Sequence, residues 1–126
     1  MRADGPLFLT LDVGTTAVKA GLFDEAGHMV ASASREYTLE TPAQNIVELD
    51  AEVYWKTSLE TLREVLQGAG AGKHPTGESA SGSVVSIGVC SQGETLICLD
   101  SKGDPLRKAI VWMDNRAQKE TEELRG

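Results

Sequence analysis

Three strand-like runs joined by tight turns near the start of the chain constrain its fold more than any other feature. The first run, Leu7 to Asp12, places leucines on one face and Phe, Thr and Asp on the other, the two-residue period of a β-strand. The residues Asp12 to Thr16 then lead into a second run, Ala17 to Phe23. The turn residues Asp24 to Gly27 join it to a third, His28 to about Tyr37. Because each turn is short, the pattern predicts a three-strand meander.

A helix is predicted in the middle of the chain. Asp50 is a good N-cap residue, and Glu52 favours the first turn because its negative charge interacts well with a helix N-terminus. Apolar residues recur at helical spacing until Gly68 stops the pattern: Trp55, Leu59, Leu62 and Leu66. We expect this stripe to pack on the sheet, and we assign Trp55 to packing.

Further apolar runs follow in the second half of the chain. Val84 to Cys90 is nearly continuous, as expected of a central strand covered on both faces. Thr95 to Leu99 and Ala109 to Trp112 are typical of two strands joined across Asp100 to Asp104. From Asn115 to the end the pattern is charged and helical. These elements together predict an α/β fold, a mixed sheet with flanking helices.

The segment from Gly68 to Gly82 is rich in Gly, Ala and Ser and is predicted to be a loop. Around Lys73 it partly matches a Walker phosphate-binding loop. That pattern requires Gly at position 67 and Ser or Thr at position 74, where this chain has Gln67 and His74. The segment also follows a helix instead of a strand, so we assign no phosphate site to it.

The charge of the chain excludes one class of partner. At a net charge of −7, with no basic block, it lacks the clustered Lys and Arg that non-specific nucleic-acid binding requires. Its longest apolar runs fall far short of the roughly 20 residues that span a bilayer. The stretch Met1 to Asp4 lacks the apolar region of a signal peptide. We therefore expect a cytoplasmic protein without nucleic-acid or membrane partners.

The strongest chemical signal is the turn from Asp12 to Thr16, a carboxylate at a strand end followed by Gly and two hydroxyls. Such a turn can direct backbone N–H groups and hydroxyls at a phosphate while the carboxylate holds Mg²⁺ directly or through water. Lys19 adds a positive charge nearby. The alternative is an ordinary hairpin, in which Asp12 caps its own turn and Gly14 supplies a positive φ.

Several ordered motifs resemble the first part of the FGGY carbohydrate kinases, within the actin, Hsp70 and sugar kinase superfamily. They are the Asp-Val-Gly-Thr-Thr turn with its hairpin, the stretch Glu48 to Trp55, and the stretch Ala109 to Arg116. The resemblance covers Leu7 to about Gln118. It implies a ribonuclease-H-like domain with a mixed five-stranded sheet, and a kinase that moves the γ-phosphate of ATP onto a sugar or polyol hydroxyl.

The same resemblance implies ATP and Mg²⁺ as cofactors. Asp12 would hold the metal near the ATP phosphates, and Lys19 would stand at the position of a basic ATP contact. The phosphate loop itself would consist of Gly14, Thr15 and Thr16.

A second candidate site follows the Val84 to Cys90 run. The stretch Ser91 to Thr95 resembles the Asn-Gln-Arg-Glu-Thr segment of glycerol kinases and, more loosely, the Ser-Gly-Gln-Met-His segment of xylulokinases. Gln92, Gly93 and Glu94 would therefore bind substrate, with the Glu94 carboxylate accepting hydrogen bonds from sugar hydroxyls. The alternative for Glu94 is a solvated turn residue.

The resemblance also places Trp112 and Asp114 in the substrate site. Trp112 would line the sugar pocket, and Asp114 would orient the chain or a hydroxyl. The alternatives are that Trp112 is plain core and that Asp114 is only the N-cap of the last helix.

Family members are several times longer than this chain. We therefore expect residues 1–126 to form the N-terminal part of the N-terminal domain, with the general base beyond Gly126 and no catalytic residue in the fragment, which alone should be inactive. The full-length kinase would act on a pentulose or polyol, as xylulokinases do, and is compatible with a homodimer. Two alternatives stay open: another ATPase of the same superfamily, and a non-catalytic phosphate-binding or interaction module.

Overall fold

The structure is a computed structural model that describes residues 5–70 and 84–126. It contains six strands and two helices in these ranges: β1 Leu7–Val13, β2 Ala17–Phe23, β3 Met29–Glu36, β4 Glu48–Leu49, α1 Ala51–Gly70, β5 Val84–Ser91, β6 Ala109–Ile110 and α2 Gln118–Arg125. The chain divides into two compact units. Unit 1 comprises Met1–Tyr37 and Tyr54–Gln92, and unit 2 comprises Thr38–Val53 and Gly93–Gly126.

A four-stranded sheet in the order β3-β2-β1-β5 forms the framework of unit 1. The first three strands pair antiparallel in sequence, so the predicted meander is confirmed. β5 pairs with β1 in parallel. Leucines of β1 and alternate residues of β2 form the core together with Val65 of α1: Leu7, Leu9, Leu11, Val18, Ala20 and Leu22. The period of two in the sequence therefore separates this core face from the opposite face of the sheet.

Helix α1 begins as predicted, because the Asp50 carboxylate accepts the Glu52 N–H at 3.0 Å. It ends at Gly70, two residues beyond the predicted stop at Gly68. The assignment of Trp55 to packing is wrong, since this side chain is 61% exposed. The buried stripe is displaced from the predicted one and consists of Tyr54, Ser58, Thr61 and Val65.

Two hydroxyl residues can lie on the buried face of α1 because the helix satisfies them internally. Ser58 donates to the Tyr54 carbonyl and Thr61 to the Thr57 carbonyl, each at 2.7 Å. A hydroxyl bonded in this way leaves only its carbon atoms to meet the sheet.

The predicted loop continues into residues 71–83, which lie outside the described residues, and so does its Lys73.

Strand β5 differs from its predicted environment. It lies at the end of the sheet order, next to β1, and was expected to be covered on both faces. Val85, Ile87 and Val89 are each more than half exposed. Their alternate spacing puts them on the same side of the sheet as the β1 leucines. The described part of α1 packs over β1 and β2, and this stripe of β5 remains exposed.

Unit 2 contains a two-stranded ribbon in which β4 pairs antiparallel with β6. The predicted strand Thr95 to Leu99 is wrong. Within the described residues this stretch makes only isolated bridges, Leu96 with Ile110 and Leu99 with Pro105. Among residues 5–70 and 84–126 the structure thus contains a four-stranded mixed sheet and a separate ribbon, and not the expected five strands in one sheet. Among the described helices, none is long and apolar enough to cross a membrane.

Candidate functional site

The Asp12 carboxylate stands at the carboxyl end of β1, directly across the hairpin from Lys19. Both side chains are exposed. With the residues that the structure describes, Asp12 forms no hydrogen bond or ion pair. An exposed carboxylate that does not cap its own turn is available to a ligand. The hairpin alternative, in which Asp12 caps the turn, is therefore not what the structure contains.

Asp12 and Lys19 line an open groove of about 530 Å³ on the sheet of unit 1. Further lining residues are Thr10, Phe23, Met29 and Ser34. The groove brings the Asp12 and Glu64 carboxylates and the Lys19 ammonium together with hydroxyls. A carboxylate can hold a divalent cation and a lysine can contact a phosphate oxygen, so this composition suits a metal-bound phosphate.

The Ala17 carbonyl approaches Gly14 closely, which favours a glycine at this position. The backbone of Gly14 does not have a positive φ. Its N–H donates to the Ala17 carbonyl at 2.9 Å, which closes the turn between β1 and β2. A Cβ at position 14 would lie 3.0 Å from that carbonyl oxygen. A side chain there would require the Ala17 carbonyl to move by a few tenths of an ångström. The expectation that Gly14 supplies a positive φ is wrong, because its φ is not positive.

Tyr37 closes the loop from the opposite side. Its N–H donates to the Thr16 carbonyl at 2.9 Å, and its hydroxyl donates to the Gly14 carbonyl. Burial, together with the nearby Tyr54 and Asp12, raises the pKa of the Tyr37 hydroxyl to about 12. The hydroxyl therefore keeps its proton, and its role as a donor, throughout the physiological pH range.

Tyr37 is connected to Gln92, the last residue of unit 1. Its ring packs edge-on against Tyr54, with ring centroids 5.4 Å apart. The Gln92 side-chain amide donates to the Tyr54 hydroxyl at 3.2 Å, and the Gln92 N–H donates to the Val13 carbonyl at 2.9 Å. The Gln92 Oε1 atom is buried and has no hydrogen-bond partner among the described residues. Gln92 is thus bound at both ends to the structure around the loop.

Glu94 has a strained backbone. Its φ of 61° lies in the left-handed region, which a glutamate rarely adopts. Its side chain is exposed. Strain of this kind is concentrated at binding and catalytic sites, where the side chain matters more than the backbone. Gly93 beside it has open space where a Cβ would stand, so a larger residue would fit there.

Trp112 is 50% exposed, so the alternative that it is plain core is wrong. Its backbone N–H donates to the Thr95 hydroxyl at 3.3 Å. Thr95 directly follows Glu94 in the chain. This hydrogen bond therefore holds Trp112 to the segment that contains the strained glutamate, within unit 2.

Asp114 has a side chain only 2% exposed, with both carboxylate oxygens occupied. One oxygen accepts the Val47 N–H at 2.7 Å, and the Arg116 guanidinium binds both, at 2.7 and 2.8 Å. The helix α2 has Ala117 as its N-cap, so the expectation that Asp114 caps this helix is wrong. The geometry favours the expectation that Asp114 orients the chain.

Arg116 extends this arrangement, because it also binds Glu48 at 2.8 Å, and Arg107 binds the same Glu48 at 2.6 Å. Sequence reasoning did not identify Glu48 or Arg107. Asp114 and Arg116 lie two positions apart with opposite charges, a signal that could have predicted their ion pair. No local pattern marks Glu48 as their partner. Tyr37 and Tyr54 were missed for the same reason.

We predict that Asp114→Asn weakens the fold in a pH-dependent manner. The Arg116 guanidinium and the Val47 N–H hold the pKa of Asp114 well below its usual value of 3.8. The ionised carboxylate thus stabilises the fold above about pH 4, and this contribution is lost as the pH falls from there towards the folded-state pKa. The variant should be less stable at pH 7, with the difference from wild type shrinking below about pH 4.

The measurement is urea unfolding at pH 7, 4 and 3, with the exposed Glu120→Gln as the control for loss of one charge. If the stability difference between the variant and wild type does not change with pH, the ionised Asp114 carboxylate does not stabilise the fold in the way we infer.

The chain matches one family profile over nearly its whole length. Residues 7–126 match the family model described as the FGGY family of carbohydrate kinases, N-terminal domain. The glycerol kinase of Natranaerobius thermophilus is 38% identical over 117 residues, which cover 92% of this chain and 22% of that protein. The chain therefore spans about a fifth of the length of the curated relatives that it matches.

Solved structures of carbohydrate kinases have a fold similar to that of this chain. The xylulose kinase from Rhodospirillum rubrum has a TM-score of 0.82 and 30% identity, over 94% of this chain and 23% of that one. The gluconate kinase from Lactobacillus acidophilus has a TM-score of 0.78 and 28% identity, over 94% of this chain and 22% of that one. The similar proteins thus have different named substrates.

Proposed function

This chain belongs to the FGGY family of carbohydrate kinases, and on that premise we propose that it is the N-terminal portion of an ATP-dependent kinase for a sugar or polyol. We also propose that its domain has the ribonuclease-H-like fold and that the full-length protein has a second domain. One observation carries it. The exposed Asp12 carboxylate stands opposite Lys19 at a turn closed by Gly14.

The phosphoryl donor would bind at this turn. Lys19 would neutralise charge on the ATP phosphates, and the Thr15 and Thr16 residues would provide hydroxyls. Asp12 fits Mg²⁺, because this ion binds through one or two carboxylates together with waters and substrate phosphates. When bound, Mg²⁺ neutralises the charge that develops on the transferred phosphoryl group.

The acceptor would bind to side chains of unit 2. Glu94 would accept hydrogen bonds from two adjacent sugar hydroxyls, and its strained φ supports a role for the side chain. The half-exposed Trp112 would provide an apolar wall. Asp114 would act through the chain, by holding the Val47 backbone and Arg116 in place.

The vacancy at Gly93 bears on the choice of substrate. Glycerol kinases resemble this segment but have Arg at this position, and an arginine would donate several hydrogen bonds to a short polyol. Here a Cβ would meet nothing within 4 Å. We therefore propose that the full-length kinase prefers a pentulose or a polyol longer than glycerol.

We predict that Gly93→Arg shifts the preference of the full-length kinase towards glycerol. One added charge-assisted hydrogen bond changes the ratio of kcat/KM values roughly tenfold. The variant should fold, because the position has room and needs no positive φ. The measurement is kcat/KM for glycerol, erythritol, xylulose, ribulose and arabitol.

Gly93→Ala is the matched control, since it adds a Cβ without a donor and should leave the ranking unchanged. If glycerol is already the best substrate of the wild type, or if Gly93→Arg leaves the ranking as it was, the placement of the pocket is wrong. The 126-residue chain alone, assayed in parallel, should release no ADP above the blank.

A further inference from the structure

We propose that Tyr37 is a positioning residue for the phosphate loop, holding the Gly14–Thr15 peptide in one orientation through its hydroxyl. The inference rests on the proposed function and extends it to a residue outside the sequence motif. Two hydrogen bonds from Tyr37, to the carbonyls of Gly14 and Thr16, carry it.

Peptide geometry explains why a bond to a carbonyl matters for phosphate binding. The described peptide bonds are trans, so the C=O and N–H of one peptide unit point in opposite directions. The Gly14 carbonyl faces the Tyr37 hydroxyl, and the N–H of the same peptide unit, which belongs to Thr15, therefore points away from Tyr37. The Thr16 carbonyl is held in the same way by the Tyr37 N–H, which directs the Ala17 N–H away from Tyr37.

The hydrogen bond that closes the turn does not by itself fix the orientation of the Gly14–Thr15 peptide. The Gly14 N–H closes the turn through the Ala17 carbonyl, but this bond leaves the Gly14–Thr15 peptide to rotate about the adjacent dihedral angles. A glycine before this peptide makes rotation easier than any other residue would. Fixing the peptide before a ligand arrives avoids an entropic cost at the moment of binding.

Tyr37 itself is held by its surroundings. Its ring packs edge-on against Tyr54, whose side chain is buried on α1. The Tyr54 hydroxyl accepts the Gln92 amide, and the Gln92 N–H is bonded to Val13, next to the loop. These contacts therefore link Tyr37 through Tyr54 and Gln92 to Val13, which lies beside the loop. A donor whose ring is held by such packing can fix a peptide more firmly than a freely moving one.

The test is Tyr37→Phe in the full-length kinase. This change removes the hydroxyl and keeps the ring that packs on Tyr54. We expect the KM for MgATP and the dissociation constant of MgADP, measured by titration calorimetry, to rise roughly tenfold. The KM for the sugar should stay within about twofold, because the Tyr37 hydroxyl binds a carbonyl of the phosphate loop.

Thr61→Val is the matched control. It also removes one hydroxyl bonded to a backbone carbonyl in unit 1, but this carbonyl belongs to Thr57 within α1 and not to the loop. It should reduce stability and leave the MgATP KM unchanged. If Tyr37→Phe behaves as Thr61→Val does, or raises both KM values equally, Tyr37 is merely structural and the inference is overturned. A wild type that binds MgADP without phosphorylating any sugar would refute the proposed function, while the MgADP affinities would still decide the role of Tyr37.

Discussion

Asp12→Asn is expected to reduce kcat of the full-length kinase by about a thousandfold while leaving its melting temperature within a degree or two of wild type. A metal ion contributes several kcal/mol of charge stabilisation in the transition state, and about 4 kcal/mol corresponds to a thousandfold in rate. The amide keeps the shape of the carboxylate but binds Mg²⁺ poorly. The fold should not respond, because Asp12 is exposed and forms no hydrogen bond or ion pair with the described residues.

Glu36→Gln is the matched control, since it removes one negative charge from the same sheet, on β3, where Glu36 pairs with Ala17 of β2. It should leave kcat close to that of wild type. Both variants are measured by steady-state kinetics and thermal unfolding. An Asp12→Asn protein that is destabilised and still turns over normally would support the ordinary hairpin and contradict the metal site.

Glu94→Gly is expected to lower kcat/KM for the sugar at least a hundredfold without weakening the fold. Two charge-assisted hydrogen bonds to substrate hydroxyls together contribute on the order of 3 kcal/mol, which corresponds to that factor. Glycine adopts the φ of 61° without the penalty that a glutamate pays there. Relief of that penalty stabilises the fold, and the greater entropy of glycine in the unfolded chain partly offsets it, so stability should stay constant or rise by up to about 1 kcal/mol.

Asn45→Gly provides the matched control. Asn45 has a φ of 65°, is exposed and also lies in unit 2, but has no place in the proposed substrate site. Its replacement should change stability little, because asparagine tolerates the left-handed region, and should leave kcat/KM unchanged. Unchanged sugar kinetics in Glu94→Gly would show that Glu94 is only a solvated turn residue.

Local chemistry explains which elements were predictable from the sequence. The meander depends on neighbouring strands and short turns, so alternation and turn residues such as Asp24 and Gly27 were sufficient. The start of α1 depends on Asp50, two residues from the N–H that it binds. These interactions join residues close in the chain, and patterns in the sequence report on them directly.

Tertiary context decided the elements that were predicted wrongly. The stretch Thr95 to Leu99 has the composition of a strand, but pairing requires a partner in register over several residues, and the described contacts are single bridges. The buried face of α1 includes Ser58 and Thr61, whose hydroxyls bond within the helix. A hydropathy pattern treats them as polar and therefore selects the neighbouring stripe with Trp55.

In the candidate site, too, residues marked by local motifs were predictable and residues that act through long-range contacts were not. Asp12, Gly14 and Glu94 were identified from short motifs, and the structure gives each a local feature that suits its proposed role. Arg116, Glu48 and Tyr37 act through contacts that span 23 to 68 positions in the chain. Such long-range contacts leave no periodic signal, so only the folded chain reveals them.

The most direct test of the account is to identify the product that the full-length protein forms from ATP. The protein is incubated with MgATP and each member of the sugar and polyol panel, and the reaction is followed by phosphorus NMR and mass spectrometry. The account predicts a phosphate ester of a sugar or polyol, formed in equal amount to ADP and lost in Asp12→Asn. Release of inorganic phosphate without any sugar ester, as an ATPase would give, or no turnover with any acceptor, would contradict it.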